Sequence, residues 1–269
     1  MALISPKAQV TDPAGLAEDV QVGPFTYIGP GVTVAAGTII SGNVTIGANT
    51  RIGQQCRLFP GSVVGCPPPS SSQEAAGACS IGDGNVIREH VVIESGLSPD
   101  SPGSVLGNNN LVMVGCQIGH DATLTDQGIF ANFTRIEHHG RIEPFVRTSG
   151  FTVVHAYATV GAYSFTTGYA SVDFDVPPFA ILQGVPCRVR CVNTENLRRC
   201  GFDDKAIEML KGAFRILFDG KGRFPDPQQL QSAEEAFDNE HVRILIRSLR
   251  ESATSPTGRS GQPAEAGEQ

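Results

Sequence analysis

Counting every sixth residue from Ile4 gives Ile4, Val10, Leu16, Val22, Ile28, Val34, Ile40, Ile46, Ile52, Leu58 and Val64, an apolar register without a miss. In a chain that is 40% apolar, eleven such hits arise by chance about 4 × 10⁻⁵ of the time, so the period belongs to the fold. An α-helix needs apolar residues three and four apart, and a long strand needs them two apart. A six-residue unit instead makes one short strand and one corner. Three units close a triangular coil, and stacked coils pair their backbones above and below while burying the apolar row. The residue four after each slot is small or β-branched (Ala8, Ala14, Val20, Thr26, Val32, Thr38, Val44, Thr50, Cys56, Ser62), which predicts a second inward-facing row. Glycine often follows the slot, as at Gly23, Gly29, Gly47, Gly53, Gly65, Gly82, Gly107, Gly119 and Gly161. A tight corner there gains from a residue without Cβ.

A second register runs Ile81, Ile87, Ile93 and a third runs from Leu106 through Val112, Ile118, Leu124, Phe130, Ile136 and Ile142 to Val154, Val160 and Val172, broken only at Thr148 and Thr166. About 26 slots imply roughly eight to nine coils. The register shifts at 66–80 and 94–105, both rich in Pro, Ser and Gly, which predicts two loops extruded from the prism. After Val185-Pro186 the period is lost. Asp203 to Phe218 carries Ile207, Leu210, Phe214 and Leu217 on one helical face with Asp203 as N-cap; a second helix can start at Asp226-Pro227, and a third carries Val242, Leu245, Ile246 and Leu249. The expected organisation is mainly β: a parallel β-helix over 1–190, a C-terminal α-helical domain over 191–252, and a disordered polar tail over 253–269.

The formal net charge of −7 argues against a nucleic-acid or anionic-membrane binder. The N-terminus has no basic stretch ahead of an apolar run, and no segment approaches the length of a membrane span, so the expected location is cytoplasmic. Seven cysteines, odd in number and without a C-x-x-C pair, support neither a disulfide framework nor a zinc site.

Chemistry concentrates where His120-Asp121 follow the slot Ile118 and Gly119. A corner histidine projects outward, and an imidazole titrating near neutrality can take a proton from an attacking hydroxyl. His138 and His139 lie one coil further and His155 nearly another, so the imidazoles are expected to form a column on one wall. Such a wall suits a polyhydroxylated, phosphorylated ligand. Zinc is the rival occupant of a histidine cluster, but no H-x4-H pair is present, and neither metal nor cofactor is expected. Arg188, Arg190, Arg198 and Arg199 gather at the end of the prism, where guanidinium forks suit a diphosphate or an acidic carrier protein; solvated surface arginines are the plainer alternative.

The segments IREH (87–90), IGHD (118–121), FAN (130–132), TVVH (152–155), DVPPFAILQG (175–184) and NTENLRRCGF (193–202) occur in the order, and over the whole length, that resembles the UDP-N-acetylglucosamine O-acyltransferases of lipid A synthesis. That resemblance implies a left-handed β-helix, a homotrimer, and transfer of a 3-hydroxyacyl group from acyl carrier protein to the 3-hydroxyl of UDP-N-acetylglucosamine. It further implies that His120 is the general base supported by Asp121, that the backbone N–H of His138 is the oxyanion donor, and that His139, His155, Gln183, Asn193, Glu195 and Arg199 contact substrate. Gly168 falls where the family limits acyl length, and glycine there implies an open groove for a long acyl chain.

Around the acceptor the chain departs from the family pattern. PPPSSSQEAAGA replaces a polar loop, ESGL replaces an HRGT-like segment, and Gln117, His138, Ala156 and Cys200 stand where histidine, glycine, glutamine and arginine are commoner. Two other readings therefore stay open: N-acylation of a UDP-3-amino-sugar analogue, and a non-catalytic β-helix paralogue.

Overall fold

The computed structural model describes residues 2–69, 77–218 and 224–254. Short strands wind into three walls, sheets of eleven, nine and seven strands, in which strands pair in parallel from coil to coil except for the last strand of the first sheet. Gln117–Ile118 pairs with Arg135–Ile136, which pairs with Val153–Val154. The chain is a left-handed parallel β-helix closed by C-terminal helices. The slot residues fill its interior: Ile28, Ile40, Ile46, Leu58, Ile87, Ile93, Leu106, Leu124, Phe130, Ile136 and Ile142 are all essentially inaccessible. Each such burial contributes about 1.5–3 kcal/mol.

The two threonines that interrupt the register are no defect. Thr148 Oγ1 meets Thr134 Oγ1 at 2.8 Å and Thr166 Oγ1 meets Thr152 Oγ1 at 2.9 Å, so each hydroxyl finds a partner inside the prism. The second inward row is buried from Val20 onward but does not include Ala14, which is exposed in a 3-10 turn, Pro13–Gly15, capped by Asp12. Pro13, three residues after the Val10 slot, starts that turn in place of a strand.

The corner glycines other than Gly65, whose own φ is 73°, have a different reason from a tight turn. The left-handed residue sits two positions later: Phe25 after Gly23 and Asn49 after Gly47 have φ of 59° and 57°. Gly47 is instead required by the coil above, since a Cβ there would lie 1.9 Å from the Gly65 carbonyl oxygen. Large residues accept the left-handed position because they stack from coil to coil. The corner after the first sheet carries Phe133, Phe151 and Tyr169, stacked at 5.1 Å spacings; that after the second carries Asp121, His139 and Tyr157; that after the third carries Phe145, Tyr163 and Phe179.

A buried amide ladder secures the third wall. Asn85 Nδ2 donates to the Gly82 and Gly107 carbonyls, its Oδ1 accepts from Asn110 N and Nδ2, and Asn110 passes the pattern on to Thr125 O and Gly128 N at 2.9 and 2.7 Å. Asn110→Ala strands several of these groups at once. It is expected to cost about 2–3 kcal/mol, read as a lower urea midpoint; an unchanged midpoint would show that the ladder stabilises nothing.

Both loops leave from the second corner. The first lies between strands Val63–Cys66 and Cys79–Ile81, and its residues 70–76 fall outside those described; the second connects Val92–Glu94 to Ser104–Leu106. Their bases pair, Gly77 N to Gly96 O at 2.8 Å and Gly96 N to Ala78 O at 2.9 Å. Beyond the last coil, Ala180–Gln183 turns back antiparallel to Arg188–Val192. Helices α1 (Thr194–Arg199), α2 (Asp204–Leu217), α3 (Pro227–Ala236) and α4 (Glu240–Thr254) follow. Asp203 and Asp226 cap α2 and α3. Helix α4 runs through Ala253 and Thr254, into the span expected to be a tail; 255–269 lie outside the described residues. No helix among the described residues is long and apolar enough to cross a membrane.

Candidate active site

The chemistry collects on the second corner, one coil after the two loops. His120 projects from the turn following Gln117–Ile118, its side chain 14% exposed, and its Nδ1 lies 3.0 Å from Oδ2 of Asp121, whose side chain is fully buried. The same carboxylate accepts the N–H of Leu97 at 3.1 Å and of Gly103 at 2.9 Å. Burial opposes ionisation of Asp121, but hydrogen bonds from His120, Leu97 and Gly103, with the polar Ser101 hydroxyl nearby, outweigh it and hold the carboxyl below its ordinary value. An ionised Asp121 requires the imidazole proton on Nδ1, which leaves Nε2 a proton acceptor.

His138 stacks on His120 at 5.0 Å and 8°, and His139 meets His120 edge-on at 5.4 Å while stacking on Tyr157 at 4.7 Å. Burial, then the neighbouring His120, lowers the pKa of His138; burial, then His120 and His138, lowers that of His139 against the pull of Asp121. His120, Asp121 and His139 bring nitrogen and oxygen atoms within 4.8 Å of one another, near enough to be considered for a cation. The carboxylate already serves three hydrogen-bond donors, the arrangement of an oriented acid–base pair.

His155 is not in this column. The residue stacked above His138 is Ala156, and His155 continues instead the row Gly119–Glu137. Its Nε2 meets Ser171 Oγ at 2.8 Å and its Nδ1 lies 3.5 Å from Glu137. The cleft beside His120, about 300 Å³, is lined by Glu94, Gln117, Gly119, Arg135, Glu137 and His138. Glu94 and Glu137 escape a sequence reading centred on histidine. Their signal is positional, since both directly follow a slot of the second wall, but the second loop breaks the coil spacing that would align Glu94 with Gly119.

The remaining candidate residues stand elsewhere on the prism. Gly168 is on the first corner beside Tyr169, and a Cβ there would meet nothing closer than 3.7 Å. Asn193 is buried, its side chain capping α1 and donating to Tyr163 O at 2.8 Å on the third corner. Glu195 and Arg199 pair at 3.1 Å on the exposed face of α1, and Gln183 Oε1 accepts from Arg190 at 2.5 Å. One chain thus distributes the expected site over three corners.

Over 258 residues, 96% of this chain and the whole of the relative, the sequence is 41% identical to the acyl-[acyl-carrier-protein]–UDP-N-acetylglucosamine O-acyltransferase of Pseudomonas fluorescens. The chain belongs to the UDP-N-acetylglucosamine O-acyltransferase family. The family's C-terminal domain, described as UDP N-acetylglucosamine O-acyltransferase domain 2, matches residues 175–257, and the bacterial transferase hexapeptide repeat matches 13–48. Solved UDP-N-acetylglucosamine O-acyltransferases agree throughout: that of Bacteroides fragilis is 30% identical with a TM-score of 0.86, covering 92% of this chain and 97% of its own. That of Moraxella catarrhalis is 28% identical with a TM-score of 0.80, covering 93% and 95%.

Proposed function

We propose that the chain transfers a 3-hydroxyacyl group from acyl carrier protein to the 3-hydroxyl of UDP-N-acetylglucosamine, the opening reaction of lipid A synthesis. The observation that carries the mechanism is the His120–Asp121 pair set against a cleft with the His138 backbone at its edge. His120 Nε2 takes the proton of the sugar hydroxyl as its oxygen attacks the thioester carbonyl carbon. The carbonyl oxygen becomes an oxyanion facing the N–H of His138. On collapse the C–S bond breaks, and His120 returns the proton to the leaving carrier thiolate. Asp121 holds the tautomer that makes this possible.

His139, His155, Gln183, Asn193, Glu195 and Arg199 are assigned to acceptor and nucleotide, with Asn193 acting chiefly by fixing α1. Because the His120 cluster, Gly168 and α1 occupy three different corners, a complete site needs neighbouring copies, which supports a homotrimer with sites between prisms. A cytoplasmic location goes with the donor and acceptor. On this reading residues 1–190 form the catalytic β-helix and 191–252 the helical domain that presents α1.

One observation favours N-acylation of a 3-amino analogue: Glu94 and Glu137 give the cleft an acidic wall suited to an ammonium. Assays of both acceptors with a ladder of 3-hydroxyacyl carrier proteins, read by mass spectrometry, separate the two. Faster product formation from UDP-N-acetylglucosamine is expected, and no turnover with any pair would support a non-catalytic paralogue. In the same assay Gly168→Leu, whose Cβ would meet no backbone atom closer than 3.7 Å, is expected to move donor preference to shorter chains at least about tenfold. An unchanged preference would remove Gly168 from the acyl groove.

A further inference from the structure

Two coils of the second corner share one hydrogen-bonding device, which the earlier members of the row, Gly29, Gly47 and Gly65, lack for want of a side chain. The residue directly after the slot caps the backbone N–H two past the slot on the next coil. Glu94 Oε2 accepts from His120 N at 2.9 Å, and Glu137 Oε2 accepts from Ala156 N at 3.1 Å. The third corner uses it too, Glu143 accepting from Ala162 N at 2.9 Å. Between the two caps of the second corner the row is interrupted. The residue that should cap His138 N is Gly119, which has no side chain, and no acceptor among the described residues takes that N–H.

A second device exists, in which the residue two past the slot on the following coil reaches back: Asp126 Oδ1 accepts from Asn108 N at 2.6 Å and Asp83 Oδ1 from Gln54 N at 2.7 Å. For His138 that residue is Ala156, whose methyl accepts nothing. Backbone N–H groups in this position are uncapped at other corners as well, Asn132 among them. His138 differs in that Gly119 and His138 line the same cleft as His120. The room is also closely fitted, since a Cβ on Gly119 would lie 2.7 Å from His138 N and 3.0 Å from the Glu137 carbonyl carbon.

We propose that Gly119 is a positioning residue for the acyl transfer: by interrupting the row of caps it keeps the His138 N–H open as an oxyanion donor beside the base. This rests on the acyl-transfer reading above. The same row holds Glu94 one coil before and Glu137 one coil after, so this corner admits a capping side chain at the position that Gly119 leaves bare.

The test is Gly119→Gln, which restores a capping acceptor without changing the charge of the cleft, with Gly119→Ala as a variant that crowds the N–H but offers no acceptor. For folded protein, checked by thermal melting, Gly119→Gln is expected to lower kcat by about 10²–10³-fold with KM for the nucleotide sugar within about twofold. A loss confined to melting temperature, with kcat retained, would overturn the proposal. Amide hydrogen exchange supplies a second readout that needs only the wild-type chain. The His138 amide should exchange faster than those of His120 and Ala156; equal protection of all three would overturn the proposal even if no variant folds. A wild-type chain without turnover would sink the acyl-transfer reading and the inference together, whereas an active wild type with an equally active Gly119→Gln sinks the inference alone.

Discussion

His120→Ala is expected to lower kcat by about 10²–10⁴-fold while leaving the melting temperature close to that of the wild type. The loss is large because no second group among the described residues is oriented for the same proton. His138 lies over His120 at 5.0 Å, but it lacks the carboxylate that fixes the His120 tautomer. His139 reaches the cluster only edge-on and stacks on Tyr157. The fold should tolerate the change because His120 stands on a corner, and the interior slot of its coil is filled by Ile118. Steady-state rates with the acyl carrier protein donor, together with a melting curve, check both halves. A rate kept in both His120→Ala and His120→Ala/His138→Ala would exclude His120 as the base, whereas a rate lost only in the double variant would show that the stacked ring had taken over.

The prism was legible in the sequence because its physics is periodic. A slot every six residues states which side chain faces inward, and the interruptions at Cys66 and Glu94 announce where the loops leave. What the period does not encode is which feature of a residue is used. The corner glycines were legible as positions without Cβ, yet Gly47 meets the requirement of a coil above it rather than of its own turn. Thr148 and Thr166 read as misses although their hydroxyls are paired inside the prism. His155 illustrates the same limit at the site. Seventeen residues separate it from His138, and that one-residue deficit moves it from the column of His120 into the row of Glu137. Helix α1 was not expected, because six residues are too few to show a helical period, and only its Asn193 cap marks it. The adjacency of Asp121 to His120 is local, whereas its grip on Leu97 and Gly103 is a long-range fact that no local pattern states.

That grip makes Asp121→Asn the second large effect. In the wild type one buried carboxylate accepts from His120 Nδ1, Leu97 N and Gly103 N. Asparagine keeps the shape but turns one of the two oxygens into an NH2 group, so a donor must face a donor. Either the imidazole gives up the tautomer that leaves Nε2 free, or the base of the 95–103 loop is released. The first costs rate, and the corresponding change in the serine-protease triad costs about 10⁴-fold in kcat; the second leaves a buried N–H unsatisfied at about 1–3 kcal/mol. Asp121→Asn is therefore expected to lose both activity and stability, unlike His120→Ala, which should lose only activity. The pH dependence follows from the same contacts. Because the folded carboxyl is held below its ordinary value, its stabilisation is complete above the unfolded carboxylate pKa of about 3.9 and is lost as pH falls through the folded value. The stability gap between wild type and Asp121→Asn should accordingly be constant from about pH 5 to 8 and narrow below about pH 4. Urea midpoints of both proteins across that range measure it, and a gap that stays undiminished in acid would show that the ionised carboxylate is not what holds the loop to the base.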